Sequence, residues 1–336
     1  KNRMDYFNPA SGKFFHINLS NYNKSGAIEG YSVYEDRSGK IWIAGGNGII
    51  TCDPRTKIFH SVLYDPNLPN PLPSNSTISF CKTHDGKFFI GCGNGVVLFD
   101  EKNETLTPFV ISENGVNIFE NNYTWEIYED SKNNLWFCTL YGLVFYDPLT
   151  HSHKLYEHNE NDSASLNAES ATEIIETVDT RFWVTTFGGG LDLLDPSTGK
   201  FRHIKFHDSR GEVSGIAMQG LMKYADGKLL IGTQSYGLIL FNPADETSEF
   251  FRHDAADPSS LSSDVTMPLT REGNGVVWIG TKGGGLVAFD AHTQKFRAFT
   301  MQEGLPGNEV VSMITDDDGV SWIGTTNGIS RCKLPQ

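Results

Sequence analysis

Two glutamates, Glu126 and Glu173, lie 47 residues apart in the segments TWEIYED and ATEIIET. Both segments alternate polar and apolar residues as a half-buried strand does. If a fold brings the two carboxylates side by side, they could hold a cation or an amine, or work as an acid/base pair. The simpler alternative is that they accept hydrogen bonds from backbone amides or water. Three consecutive acids, Asp316, Asp317 and Asp318, lack the alternating ligand spacing of a calcium loop and read as a hairpin turn. The histidines mostly follow strand aromatics, as at His16, His60, His203 and His253, which places them on edge strands rather than around a metal. Cys52, Cys81, Cys92, Cys138 and Cys332 have no C-x-x-C spacing, and an odd number cannot pair completely. They read as small buried hydrophobes. No nucleophile elbow, zinc helix motif, phosphate loop or kinase signature occurs. No metal or other cofactor is expected.

Composition narrows the field. The 336 residues include 34 glycines, with 38% hydrophobic and 20% charged residues, which is a globular, turn-rich balance. The formal net charge of −14 disfavours nucleic acid as a partner. No apolar run reaches the roughly 18 residues that span a bilayer. The chain opens on Lys1 and shows no leader, so it is expected to be an excised module or a stand-alone protein built from the same parts.

What positions the two glutamates is a repeat. IWIAGGNG, FFIGCGNG, LWFCTLYG, FWVTTFGGG, LLIGTQSYG, VWIGTKGGG and SWIGTTNG align on Trp42, Phe89, Trp136, Trp183, Leu230, Trp278 and Trp322, at spacings of 47, 47, 47, 47, 48 and 44. An Asp/Gly turn precedes each anchor. In the first six copies an Asp or Asn follows 11 or 12 residues later and leads into another alternating segment. Four short strands in about 47 residues make a propeller blade. The chain is therefore expected to be all-β: one seven-bladed β-propeller over residues 1–336, with four antiparallel strands per blade. The blades are expected near 31–75, 76–121, 122–168, 169–215, 216–264, 265–309, and 310–336 with 1–17. The seventh copy stops after its third strand, and YFNPASGKFFHI (6–17) matches LLDPSTGKFRHI (193–204). The N-terminal strand is thus expected to complete the last blade and close the ring, which removes open sheet edges.

The copies HDAADPSSLSSDVTMPLTREGNGVVWIGTKGGGLVAFDAHTQKFRAFT (253–300) and EGLPGNEVVSMITDDDGVSWIGTTNGISR (303–331) resemble the two-component regulator propeller repeat. The resemblance extends over essentially the whole chain. It implies the periplasmic sensor region of a hybrid two-component system of the Bacteroides type, reading glycan fragments and passing the signal to a histidine kinase. Such sensors typically carry two propellers and a small β-sandwich, whereas this sequence holds one propeller. The implied partners are an oligosaccharide or other small molecule, further domains of a membrane sensor, and a homodimeric mate.

In a propeller the loops between second and third strands ring the channel mouth together with the blade-to-blade connections. Here the loop tips carry Asn47, Asn94, Tyr141, Phe187, Tyr236, Lys282 and Asn327. Aromatic faces stack on sugar rings and amides bond hydroxyls, so this ring suits a carbohydrate. Ten residues before the anchors, the channel positions are Ser32, Ser79, Glu126, Glu173, Gly220 and Ser312, with the sixth blade near Met267. Trp125 beside Glu126 offers a sugar platform, and Asn122 and Tyr123 end the most individual connection, VISENGVNIFENNYT (110–124). The expected function is non-catalytic ligand sensing. The alternative is a propeller lyase or glycosidase, which a histidine beside the two glutamates with a bound metal would favour.

Overall fold

The computed structural model describes residues 3–8, 13–18, 32–36, 38–46, 48–53, 58–62, 72–74, 76–100, 103, 105–208, 211–271, 276–290, 293–315 and 319–334. Asn47 and the Asp316–Asp318 triplet lie outside them. Seven sheets form a seven-bladed β-propeller. Blades 1 to 6 are each four strands in sequential antiparallel order. Their first strands are Ser32–Glu35, Thr77–Lys82, Thr124–Glu129, Ala171–Glu176, Met218–Lys223 and Thr266–Arg271. Blade 7 begins with Val310–Thr315, Ser321–Thr325 and Gly328–Cys332. A short helical turn, Ala225–Gly227, sits between the first two strands of blade 5.

The anchors explain why the blades associate. Trp42, Phe89, Trp136, Trp183, Leu230, Trp278 and Trp322 are all at most 2% exposed. Each belongs to a core shared with the following blade. Trp42 packs with Phe88, Ile90 and Val97 of blade 2, and Trp136 with Phe182, Val184 and Phe201 of blade 4. Trp322 of blade 7 packs with Ile41, Ile43 and Ile50 of blade 1, which closes the ring through side chains. The first strands also pack in a circle, each against both neighbours and the last against the first, so they line the axis. The third strands begin at or just after glycines with positive φ, among them Gly142 (117°) and Gly237 (71°). A Cβ at either would also collide with the outer-strand carbonyl of Tyr156 or Phe251, so both tests favour glycine.

The seventh sheet differs from the expected four strands. Arg3–Asn8 lies parallel to Gly328–Cys332, and Lys13–Asn18 folds back antiparallel on it, giving five strands. The N-terminal segment does join the last blade, but not as a lone antiparallel fourth strand. The reason is in the alignment: Tyr6-Phe7-Asn8 matches Leu193-Leu194-Asp195, the end of a third strand. Two third-strand segments side by side run the same way.

The cysteines are free thiols, buried or half-buried. Burial pushes Cys52, Cys81, Cys92 and Cys332 up to about 12, so they remain protonated and act as apolar filling.

Candidate ligand-binding mouth

One hydrogen bond recurs in six blades and defines the mouth. The amide that opens the loop between second and third strands donates to the carbonyl just before the first strand. The pairs are Gly93–Ser76, Leu140–Tyr123, Phe187–Ser170, Gln234–Ala217, Lys282–Val265 and Thr326–Glu309, at 2.8–3.2 Å. Glycine loops and blade connections therefore share one face.

On that face, blades 3 and 4 carry an aromatic cluster. The first strand of blade 3 bulges between Thr124 and Glu126, so Trp125 is the extra residue and turns away from the ladder. Trp125 is 38% exposed and stacks on Tyr123, with ring centroids 5.3 Å apart and planes 25° apart. Its Nε1–H donates to Ser170 Oγ of blade 4 (3.1 Å). The Tyr123 ring lies over Gly93, where a Cβ would come within 3.2 Å of it. Tyr141 and Phe187 stand nearby in the backbone network and are more than half exposed.

The remaining expected residues divide. Asn94 is exposed and its Oδ1 accepts the Asn121 amide (2.5 Å), tying blade 2 to the connection that carries Tyr123. Asn122 is turned inward, 4% exposed. Its Nδ2 donates to the Ile118 carbonyl and Thr139 Oγ1, and its Oδ1 accepts the Tyr141 amide. It positions Tyr141 rather than facing solvent. Tyr236 is half-buried against the core that contains Phe206 and Phe250, beneath Arg252 (4.9 Å). Lys282 is exposed and pairs with Glu309 (3.7 Å).

Glu126 and Glu173 occupy equivalent channel positions on adjacent first strands and are half-buried there. Glu126 Oε2 accepts the Ile174 amide (2.7 Å), and Glu173 Oε2 accepts the Leu221 amide. Each carboxylate thus reaches from its own first strand to the first strand of the next blade. The Cys138 thiol is the other polar neighbour of Glu126 (3.9 Å). Burial pushes Glu126 up to about 7, opposed by its hydrogen bonds. Burial, and then the charge of Glu126, raise Glu173 well above the ordinary carboxylate range. The pair therefore holds a proton near neutrality. Its hydrogen-bond partners are amides and a thiol rather than a histidine. Among the described residues, no group of three or more His, Cys, Asp or Glu side chains could hold a metal.

Two features were not anticipated. Ser170, the acceptor for Trp125, stands 47 residues after Tyr123, and that shared repeat position was the available signal. His203 is not a free edge residue: its Nδ1–H donates to Asp192 Oδ1 (2.8 Å), a carboxylate with no exposed side-chain surface. A groove of about 610 Å³ lies elsewhere, between the turns of blade 4 that include Arg181 and Pro196. Its Arg181 and Arg202 are already paired, with Asp179 and Glu246.

The two-component regulator propeller family model matches residues 118–141 and 304–327, the first of which spans Tyr123, Trp125 and Glu126. The resemblance read from the repeats thus stands: the chain carries repeats of this type. No curated protein matches it. Among solved structures, PorZ, a surface component of the type-IX secretion system of Porphyromonas gingivalis, is 18% identical over 92% of this chain and 47% of its own, with a TM-score of 0.69. Virginiamycin B lyase from Staphylococcus aureus is 13% identical over 93% and 97%, with a TM-score of 0.68. The extracellular domain of a hybrid two component system from B. thetaiotaomicron is 17% identical over 98% and 52%, with a TM-score of 0.47. The chain spans about half the length of that domain. At these identities the PorZ and lyase likenesses establish the propeller fold and nothing about activity.

Proposed function

We propose that this propeller is a non-catalytic sensing module in the extracytoplasmic, periplasmic part of a hybrid two-component system, and that it binds a glycan fragment at the mouth over blades 3 and 4. The observation that carries this reading is the Tyr123–Trp125 stack with the indole fixed by Ser170. An exposed aromatic held in one orientation offers its face to the C–H side of a sugar ring with little rotamer entropy left to lose. The match of the regulator propeller model to this same blade supports the sensing context. Further domains of the sensor, and a second copy of the chain, are the protein partners this reading calls for.

The carboxylate pair favours a second reading, a propeller lyase or glycosidase. A carboxyl pushed up to about 7 is suited to general acid catalysis. The amide bonds to both glutamates weigh against it, because they account for the pair as a seam between blades. Incubation with oligosaccharides, followed by mass analysis, separates the two readings. Sensing predicts binding with the glycan recovered intact; scission that disappears in Glu126→Gln would establish the enzyme.

A further inference from the structure

Two residues past the glycine that opens each third strand, the chain places Ile50, Val97, Val144, Ile239, Val287 and Ser330, all buried. In blade 4 the same position is Asp192, also fully buried. Opposite it in the ladder stands His203. In blades 1, 2, 3, 5 and 6 the equivalent partners are Ser61, Pro108, Leu155, Phe250 and Ala298. In the last sheet the aligned N-terminal hairpin sets Asp5 opposite His16, the same pairing of residue types.

Asp192 is also where the connection between blades 3 and 4 is fastened. Its Oδ2 accepts the Asn167 amide (2.9 Å), while Asn167 Nδ2 donates to the carbonyl of Gly189, two residues past Phe187. His203 adds a hydrogen bond to the Ser163 backbone, and the Phe201 amide donates to the Ala164 carbonyl (2.8 Å). We propose that Asp192 and His203 form a proton-operated latch. The protonated imidazole holds the connection at 157–167 and, through Asn167, the mouth loop bearing Phe187; loss of that proton loosens both. The latch concerns loop order and is independent of what the mouth binds.

The surrounding charges fit this role. Burial raises the Asp192 carboxyl, opposed by His203, Asn167 and the charge of His158. The hydrogen bond that His203 donates to Asp192 in turn raises His203 above its ordinary value. Glu157, Glu160 and Asp162 on the connection are exposed, and Lys200 and Arg202 lie on the opposite face of the His203 strand. The imidazolium–carboxylate pair therefore exists between the raised carboxyl range of Asp192 and the raised imidazole range of His203. It is lost as pH rises through the latter.

Hydrogen exchange on the whole chain, from mildly acid to mildly alkaline pH, tests this. After correction for intrinsic base catalysis, protection at 157–167 and 187–189 should fall roughly tenfold per pH unit beyond the His203 transition. In His203→Gln that pH dependence should vanish. In Asp192→Val, which restores the aliphatic of blades 1, 2, 3, 5 and 6, both segments should be open at every pH while the blade 4 strands stay protected. Equal corrected protection across the range in wild type, or an unchanged pH dependence in His203→Gln, overturns the latch. Should Asp192→Val not fold, the His203→Gln comparison decides alone.

Discussion

Glu126 of blade 3 and Glu173 of blade 4 stand at equivalent points of adjacent first strands, and each accepts an amide from the blade that follows. Two raised carboxyls so placed make the seam sensitive to pH. A carboxyl raised in the folded state binds more protons than in the unfolded chain, so its stabilisation is complete below the unfolded value of 4.5 and is lost as pH rises through about 7. Unfolding free energy should therefore fall by on the order of 2 kcal/mol between mildly acid and mildly alkaline solution. Glu126→Gln keeps an acceptor for the Ile174 amide and should flatten that slope; denaturant titrations across pH measure it. An unchanged slope in the variant would show that Glu126 does not titrate with folding.

A second prediction comes from the turn before each anchor. Trp42 and Trp136 donate their indole N–H to Asp36 and Asp130, six residues upstream, at 2.8 and 3.0 Å. In blade 4 that position is Thr177, whose hydroxyl bonds within its own turn, and the buried Trp183 Nε1 has no partner. Thr177→Asp should supply the acceptor and stabilise the protein by about 1 kcal/mol, read as a rise in melting temperature. No rise, or a fall, would mean that the turn cannot bring a carboxylate to the indole.

Ring closure rests on Trp322 packing against blade 1. Trp322→Ala should cost about 3–5 kcal/mol. Limited proteolysis should then cut first in blade 1 or blade 7, where the shared core is lost. Cleavage starting in blades 3 or 4 would contradict closure at this seam.

Asn122 supplies a test of positioning. Asn122→Ala removes the acceptor of the Tyr141 amide and the donor to Thr139. It should lower stability by about 1–3 kcal/mol and weaken glycan binding through displacement of Tyr141. Trp125→Ala should weaken binding with little change in melting temperature. Equal effects of both variants on stability would remove the distinction between holding the site and forming it.

The architecture was legible because each blade repeats one anchor, and an anchor buried between blades must be apolar wherever it recurs. The strand order of the last sheet was not, because closure depends on which N-terminal segment meets Gly328–Cys332. At the mouth, Tyr123 and Trp125 could be picked out by type and position. Asn122 has the chemistry of a ligand residue, yet the turn of its own connection buries it. Ser170 and Asp192 matter only through contacts made across blades and loops, which neither residue's neighbours in sequence disclose. Asp192 nevertheless left a trace, an acid where five other blades carry Ile or Val.

The most direct measurement of the central claim is titration calorimetry of the intact chain against a panel of oligosaccharides, with Trp125→Ala and Ser170→Ala in parallel. The account predicts saturable binding of at least one glycan, recovered uncleaved, weakened at least about tenfold by Trp125→Ala, which is about 1.4 kcal/mol, and less by Ser170→Ala. A glycan bound equally by wild type and Trp125→Ala would contradict the placement of the site at the Tyr123–Trp125 stack.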